Sequence, residues 1–270
     1  MVMTDKPYRW DAEGYAYHSS PQQEWAMELL AKLRLEGKER LLDIGCGDGK
    51  VTAEIAHLLS AGSIVAIDNS REMIQLARSN YPEDDFPNVR FHQIDARNLP
   101  FDNEFDVIFS NATLHWIEDH FPVLLGINRS LKPGGKVLLQ MGGRGNGAGI
   151  IRAASKVTKA RKWENYFADF STPYAFYGPG QYQHWLKKAG LRPVRAELIP
   201  KMMIHDGPDD LMTWLEKVFI PYTEKVPKQK RRYFVEEVIE QYLENHPVDE
   251  KGRTYVHMVR LEIAATKDNA

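Results

Sequence analysis

Short apolar runs alternate with helical stretches between residues 41 and 141, and this alternation most constrains how the chain can fold. Such alternation is typical of a parallel sheet that is covered by helices on both faces. Because right-handed crossovers bring every strand-to-helix loop to one edge, a ligand site is predicted at the carboxyl ends of the strands. A further helix is predicted at 22–35. The apolar runs lie at 41–44, 64–67, 89–94, 105–109 and 136–141.

Three alternate glycines follow the first predicted strand: Gly45, Gly47 and Gly49. Glycine adopts positive φ at little cost and lets a ligand approach the backbone closely. An ordinary tight turn needs one such residue, not three. A dinucleotide site would need another glycine where the chain has Lys50, and the nearby Asp48 would repel a pyrophosphate. The loop therefore favours a nucleoside ligand that carries no phosphates.

Five motifs, in order along the chain, resemble those of the class I methyltransferases that use S-adenosylmethionine. In that family an acidic residue ends the first strand before the glycines, and Asp43 matches it. Acidic residues after the second and third strands hold the ribose hydroxyls and the adenine amine, and Asp68 and Asp95 match them. The stretches at 105–111 (FDVIFSN) and 131–136 (LKPGGK) resemble the fourth-strand motif and the turn before the fifth strand.

More narrowly, the stretch at 110–116 (SNATLHW) and the N-terminal run at 15–25 resemble the branch of trans-aconitate, juvenile-hormone-acid and malonyl-carrier-protein methyltransferases. In such enzymes the N-terminal helix closes over the cofactor. His115 is also a candidate for orienting a substrate carboxylate or acting as a base, although a structural role at the start of the next helix is favoured. No metal site is predicted. The resemblance implies these cofactor-binding residues: Tyr15, Tyr17, Gln23, Asp43, Gly45, Cys46, Gly47, Asp68, Asn69, Met73, Asp95, Ala96, Arg97, Asn111, Ala112, His115 and Trp116.

The fold class that this resemblance implies is α/β, with a Rossmann-like, seven-stranded, mostly parallel sheet. Helices are expected on both faces, together with a helical cap formed by the N-terminal helix and by insertions after residue 141. The aromatic stretch at 163–177 is predicted to pack within this cap, and a few of its rings are candidates for lining a substrate pocket. A single methyltransferase domain is predicted over residues 1–270. Its parts are a cap segment at 1–37, a cofactor-binding core at 38–141, cap insertions at 142–190 and 205–250, and returning strands at 191–204 and 251–270.

Charge, cysteine content and apolar segments limit the kinds of partner, cross-link and cellular location that are expected. The formal net charge of -2 argues against general affinity for nucleic acids or membrane surfaces. The one cysteine, Cys46, excludes an intramolecular disulfide. No apolar signal segment or membrane span is evident, so a cytoplasmic location is predicted. The basic run at 228–232 could receive a carrier protein, but the acidic residues at 236–240 favour a solvated helix face.

The predicted function is methylation of a small molecule, with S-adenosylmethionine as cofactor. The sulfonium activates the methyl group, so alignment of the acceptor is the main task of the protein. No dedicated base is identified, which favours an acceptor that arrives reactive, such as a carboxylic acid that becomes a methyl ester. The alternatives are a carbon or nitrogen acceptor, a carrier-bound substrate, or cofactor binding without catalysis. The residues at 110–113 lack the Asn/Asp-Pro-Pro-Tyr/Phe motif of nucleic-acid methyltransferases, and Lys50 disfavours a nicotinamide oxidoreductase.

Overall fold

The structure, a computed structural model, describes residues 20–269, with side chains described from residue 25 onwards. Within these residues no helix combines the length and the apolar character that are needed to cross a bilayer. The helices are α1 (Ser20–Leu30), α2 (Lys50–Leu58), α3 (Arg71–Asn80), α4 (Phe121–Ser130), α5 (Ala148–Val157), α6 (Pro179–Lys188), α7 (Pro208–Val218), α8 (Ile220–Thr223) and α9 (Arg231–Leu243). The strands are β1 (Arg40–Ile44), β2 (Ser63–Asp68), β3 (Val89–Gln93), β4 (Phe105–Asn111), β5 (Leu131–Gly142), β6 (Leu191–His205) and β7 (Thr254–Lys267).

The strands form one seven-stranded sheet in the described part of the chain, in the order β3-β2-β1-β4-β5-β7-β6. The first five strands pair in parallel, and β7 runs antiparallel to β5. The predicted seven-stranded, mostly parallel sheet is therefore confirmed. Because the parallel strands point the same way, their carboxyl ends meet at one side of the sheet, which we call the carboxyl edge.

Alternate side chains of each central strand feed two separate cores, one on each face of the sheet. On β1, Leu42 and Ile44 pack into the core that α4 and α6 cover, whereas Leu41 packs into the core that α1 and α2 cover. All three side chains are fully buried, and each contributes roughly 1.5–3 kcal/mol to stability. This two-sided burial explains why the strands read as continuous apolar runs.

Helix α1 ends earlier than the predicted range of 22–35. After Leu30 the chain tightens, and the N–H groups of Lys32 and Leu33 donate to the carbonyls of Leu29 and Leu30 at 3.0 and 2.9 Å. These bonds span three residues instead of four, which is common at the end of a helix. The tighter turn still buries Leu33, so the apolar spacing continues past the last helical residue.

Strand β5 begins earlier than the predicted range of 136–141. It pairs with β4 at Leu131, opposite Phe105, and pairing resumes at Lys136, opposite Val107. The register shift between these two pairs accommodates the Pro-Gly-Gly turn inside the strand.

The chain divides into two compact units. Unit 1 extends to Arg144 and also contains Tyr174–Ile199 and the chain from Arg260 onwards. Unit 2 contains Gly145–Pro173 and Pro200–Val259. Helix α6 falls in unit 1, although the sequence places it in the first cap insertion. The single-domain organisation remains a prediction.

Part of the aromatic stretch at 163–177 forms the core of unit 2. The ring of Phe167 stacks on Phe234 at 5.2 Å, and Trp163 meets Phe234 edge-on at 5.3 Å. The indole N–H of Trp163 donates to the Glu237 carboxylate at 2.9 Å, which satisfies its polar group. These rings stabilise unit 2 itself.

Candidate functional site

The glycine loop after β1 is tied to β2 by its backbone. The N–H groups of Gly45 and Cys46 both donate to the carbonyl of Ile67, at 2.7 and 3.0 Å. Gly45 has φ +77°, and a Cβ at this position would lie 2.1 Å from the side chain of Thr113. Gly47 has φ +56°, but a Cβ there would meet no atom of the described residues within 4 Å. Gly45 therefore lets the loop pack on Thr113, whereas Gly47 leaves its backbone facing a space that none of the described residues fills.

Asp68, the last residue of β2, joins this loop to the start of α3. Its Oδ2 accepts a hydrogen bond from the Gly47 N–H at 3.0 Å, and its Oδ1 accepts one from the Ser70 N–H at 2.8 Å. Burial raises the pKa of Asp68, although the hydrogen bonds from Ser70 and Gly47 oppose this effect. Each carboxylate oxygen has lone pairs left after these bonds. Asp68 could therefore also accept hydrogen bonds from a ligand.

The predicted residues Asn69 and Met73 lie at the beginning of α3. Ser70 caps this helix, because its hydroxyl accepts a hydrogen bond from the Met73 N–H at 3.2 Å. The Met73 side chain is buried. The cap fixes the direction in which the chain leaves the carboxyl edge.

Asp43 is buried within β1 and is 2 % exposed. The Thr52 hydroxyl donates to its Oδ2 at 2.6 Å. Burial raises the pKa of Asp43 to about 7, while the bond from Thr52 lowers it and the charge of Asp68 raises it further. At neutral pH this carboxyl group is therefore poised between its protonated and ionised forms, and a nearby cation would ionise it.

Asp95 follows β3 and holds the side chain of Arg97. The Arg97 Nη2 donates to its Oδ2 at 2.6 Å, and the Arg97 backbone N–H donates to its Oδ1 at 2.9 Å. Burial acts to raise the pKa of Asp95, but the bonds from Arg97 hold it below its usual value. Ala96, between them, is buried. If Asp95 contacts the adenine amine, as the resemblance implies, it does so as a carboxylate that is already ion-paired with Arg97.

The end of β4 carries Asn111 and a strained Ala112. Ala112 has φ +55°, a left-handed conformation that costs a non-glycine residue roughly 1–2 kcal/mol. Its N–H donates to the Gln140 carbonyl on β5 at 2.8 Å, which holds the turn in place. Backbone strain of this kind often accompanies functional sites.

His115 is 8 % exposed, in the 3-10 turn Leu114–Trp116. The Gly142 N–H lies 3.4 Å from its Nδ1, so the ring proton belongs on Nε2. Burial, and then the charge of Arg260, lowers the pKa of His115 to about 3. An imidazole with so low a pKa is neutral and is a weak base at neutral pH. This supports the structural role for His115 over the role of a base.

Aromatic rings from a later part of unit 1 contact this turn. Tyr174 lies 5.1 Å from Trp116 and stacks on Phe176 at 5.4 Å, and Phe176 lies 5.9 Å from His115. All three aromatic rings are half-buried. The sequence analysis gave some rings of the stretch at 163–177 as candidates for lining a substrate pocket, but nothing in the sequence singled out Tyr174 and Phe176. We call Trp116, Tyr174 and Phe176 the aromatic wall.

Cys46 is buried, and burial raises the pKa of its thiol well above the usual value. The thiol is therefore protonated, as expected for a residue that fills space and is not a nucleophile. Tyr15 and Tyr17 lie outside the described residues. Gln23 lies in α1, before the first described side chain.

The remaining predicted residues lie within, or shortly after, the carboxyl-terminal parts of β1, β2, β3 and β4. These four strands are neighbours in the sheet, so the residues are spread along its carboxyl edge. The profile of the methyltransferase domain family matches residues 35–190, which is more than half of the chain. The chain belongs to this family.

The similarity of this methyltransferase to known relatives extends over nearly its full length. It is 27% identical over 262 residues to trans-aconitate 2-methyltransferase of Escherichia fergusonii, covering 96% of this chain and 98% of the relative. The predicted class, an S-adenosylmethionine-dependent methyltransferase enzyme of the class I fold, is confirmed.

Solved structures share the fold of the methyltransferase. A Bacillus halodurans protein assigned as a methyltransferase superposes with a TM-score of 0.64 at 19% identity, over 90% of this chain and 99% of that chain. The Haemonchus contortus phosphoethanolamine N-methyltransferase 2, in complex with phosphomonomethylethanolamine and S-adenosylhomocysteine, superposes with a TM-score of 0.58 at 22% identity, over 91% of this chain and 53% of that chain. At these identities the likeness is one of fold.

Proposed function

We propose that this enzyme methylates a carboxylate oxygen of a small organic acid, with S-adenosylmethionine as the methyl donor. The proposal is carried by the similarity over 96% of the chain to relatives named trans-aconitate 2-methyltransferase. The acceptor oxygen would attack the methyl carbon as the methyl–sulfur bond breaks. The bonding pair would stay on sulfur, leaving a methyl ester and S-adenosylhomocysteine.

The residues at the carboxyl edge fit this cofactor. The open space at Gly47 can admit a ligand close to the backbone, and Asp68 has lone pairs for two ribose hydroxyls. Asp43 would favour the positive charge of the amino acid part, and Asp95 with Ala96 would border the adenine. Carboxylates suit a cation and hydroxyl groups but would repel phosphates, so this set of groups suits the proposed cofactor better than a dinucleotide.

The two histidines near β4 support an acceptor that needs no base. The pKa of His115 is lowered to about 3, mainly by burial, and burial lowers that of His120 to about 4. Neither imidazole could efficiently take a proton from a hydroxyl or carbon acid at neutral pH. A carboxylic acid is already ionised there, with an ordinary pKa of about 4.

The test is to incubate the purified protein with methyl-labelled S-adenosylmethionine and a panel of small carboxylic acids. We expect labelled products whose label is released by mild alkali, because esters hydrolyse and N- or C-methyl groups do not. An alkali-stable label would contradict the proposed acceptor atom. Binding of the cofactor without turnover across the panel would instead favour the non-catalytic alternative.

Replacing Asp68 by alanine is expected to weaken binding of S-adenosylhomocysteine by roughly 10- to 150-fold, because a charged hydrogen-bonding partner is lost. Isothermal calorimetry of the folded variant measures the change. Asp102→Ala, at an exposed aspartate ahead of β4, is the matched control and should bind as the wild type does. Unchanged affinity in a folded Asp68→Ala protein would remove Asp68 from the cofactor site.

A further inference from the structure

His115 has one ring nitrogen that the fold uses and one that it leaves unused. The Gly142 N–H points to Nδ1, so the ring proton lies on Nε2. In the described part of the chain Nε2 has no hydrogen-bond partner, yet it is not among the polar atoms there that are both enclosed and unpartnered. Nε2 therefore reaches space that water can enter, and it presents one N–H donor to that space.

The imidazole is held in place by its backbone and by neighbouring rings. The Ala175 N–H donates to the His115 carbonyl at 2.9 Å. The rings of Trp116 and Phe176, two members of the aromatic wall, lie 5.3 and 5.9 Å from the imidazole. A donor that is held in place before binding loses little freedom when a ligand arrives.

His115 lies close to the loop that is proposed to bind the cofactor. Thr113, two residues earlier, donates through its Oγ1 to the Gly45 carbonyl at 3.0 Å. The residues proposed to hold the ribose and the adenine stand at the ends of β2 and β3, whereas His115 follows β4, on the other side of β1 in the sheet. The donor therefore stands on the side of the carboxyl edge that the ribose and the adenine would leave to the acceptor.

The imidazole carries no charge at neutral pH. Burial lowers the pKa of His115 to about 3, and the charges of Arg260 on β7 and of His120 act in the same direction. A neutral N–H donor binds a carboxylate less strongly than a cation does, so it withdraws less electron density from the oxygens. Such a donor can orient a carboxylate and leave it reactive.

We propose that the Nε2–H of His115 donates a hydrogen bond to one oxygen of the carboxylate that is methylated, and so aims the other oxygen at the methyl group. This assignment rests on the proposed function. The second oxygen forms the bond to the methyl carbon, the methyl–sulfur bond breaks, and its electron pair stays on sulfur. No proton is transferred, so the imidazole remains a neutral donor throughout and contributes by orienting the acceptor.

Two variants test the assignment. His115→Phe keeps an aromatic ring and removes the donor, whereas His115→Gln keeps a neutral N–H donor. The probe is trans-aconitate or, where another acid of the panel is methylated faster by the wild type, that acid. For His115→Phe we expect kcat/KM to fall about 10- to 150-fold, because a hydrogen bond to a charged group is lost. For His115→Gln it should stay within about tenfold of the wild type.

His57→Phe is the matched control, because this exposed histidine on α2 also lies beside an aromatic ring, 5.5 Å from Phe86. It should match the wild type. Affinity for S-adenosylhomocysteine should stay within about threefold in every folded variant, since the assigned bond is made to the acceptor.

The outcomes separate the two levels of the proposal. A folded His115→Phe protein with the kcat/KM of the wild type would overturn the role of His115, as would a glutamine variant that is no better than the phenylalanine variant. No methyl ester from any acid of the panel with the wild type would defeat the proposed function as a whole.

Nuclear magnetic resonance reports the proposed bond in the wild-type chain. In the complex with S-adenosylhomocysteine, the probe acid should move the Nε2–H proton signal of His115 downfield, because that proton enters a hydrogen bond to an anion. The signal is assigned by its loss in His115→Gln. A signal that does not move at saturating acid would overturn the assignment, even where His115→Phe fails to fold.

The pH profile separates a neutral donor from a cationic one. Between pH 6 and pH 8 the imidazole stays neutral and the acid stays ionised, so KM for the probe acid should change by less than about twofold. A KM that rises about tenfold per pH unit above pH 6.5 would indicate an imidazolium donor and contradict the assignment.

Discussion

Replacing Gly45 by alanine is expected to lower the free energy of unfolding by roughly 2–5 kcal/mol and to abolish measurable binding of S-adenosylhomocysteine. The new Cβ would lie 2.1 Å from both the Oγ1 and the Cγ2 of Thr113 and 2.5 Å from its Cβ. Rotating the Thr113 side chain would not relieve the contact with its Cβ, so the backbone of one of the two loops must move. The left-handed φ at Gly45 adds its own cost.

Gly47→Ala is the matched control for this prediction. Gly47 is also left-handed, but in the described part of the chain the added Cβ meets no atom within 4 Å. The loss of stability should therefore be only about 1–2 kcal/mol, which is the expected cost of the left-handed backbone conformation alone. Affinity should still fall, because the Cβ occupies the space proposed for the ligand.

Urea denaturation and calorimetry measure both effects. Thr113→Ala, introduced into the Gly45→Ala protein, removes the two closest atoms and should restore part of the lost stability. A Gly45→Ala protein as stable as the wild type would show that the loop yields easily, contrary to the packing described for Thr113.

Asp43 is expected to make the stability of the ligand-free protein depend strongly on pH. Burial raises its pKa from an ordinary value of 3.8 to about 7, so the folded state holds this proton more tightly than the unfolded chain. The stabilisation from the protonated group is fully present below about pH 4 and is lost as the pH rises through about 7. The total change is ~4 kcal/mol, from about three pKa units at 1.36 kcal/mol each.

Asp43→Asn isolates this contribution, because the amide can still accept the hydrogen bond from Thr52 and does not ionise. The difference in unfolding free energy between the wild type and this variant should shift by ~4 kcal/mol in favour of the variant between pH 4 and pH 8. Denaturant titrations across this range measure it. Parallel pH curves for the two proteins would show that folding does not raise the pKa of Asp43.

The sequence predicted the part of the site that depends on local pattern. The glycines and Asp68 each stand at the end of an apolar strand run. A parallel sheet whose strands are connected by helices brings the ends of these runs to one edge. The structural role of Asp68 could not be predicted from the motif. Its hydrogen bond from the Gly47 N–H joins residues 21 positions apart. The motif suggests that Asp68 contacts a ligand, but it does not show that Asp68 also holds the glycine loop.

The surroundings of His115 depend on contacts between segments that are distant along the chain. Arg260 reaches the carboxyl edge because β7 runs antiparallel to β5 and pairs it with Gly142. A one-residue slip in that register would turn the side chain to the other face. The rings of Tyr174 and Phe176 contact the turn after β4. No local pattern in the sequence indicates these contacts.

The ion pair between Lys32 and Glu262 has a consequence for the order in which contacts form during synthesis. The two residues are 230 positions apart, so they can meet only when β7 has left the ribosome. A nascent chain could assemble β1 to β5 well before then, because their contacts are closer in sequence. Until β7 inserts, the lysine beside α1 lacks this carboxylate. Synthesis must therefore run past Glu262 before the ion pair that ties the end of α1 to β7 can form.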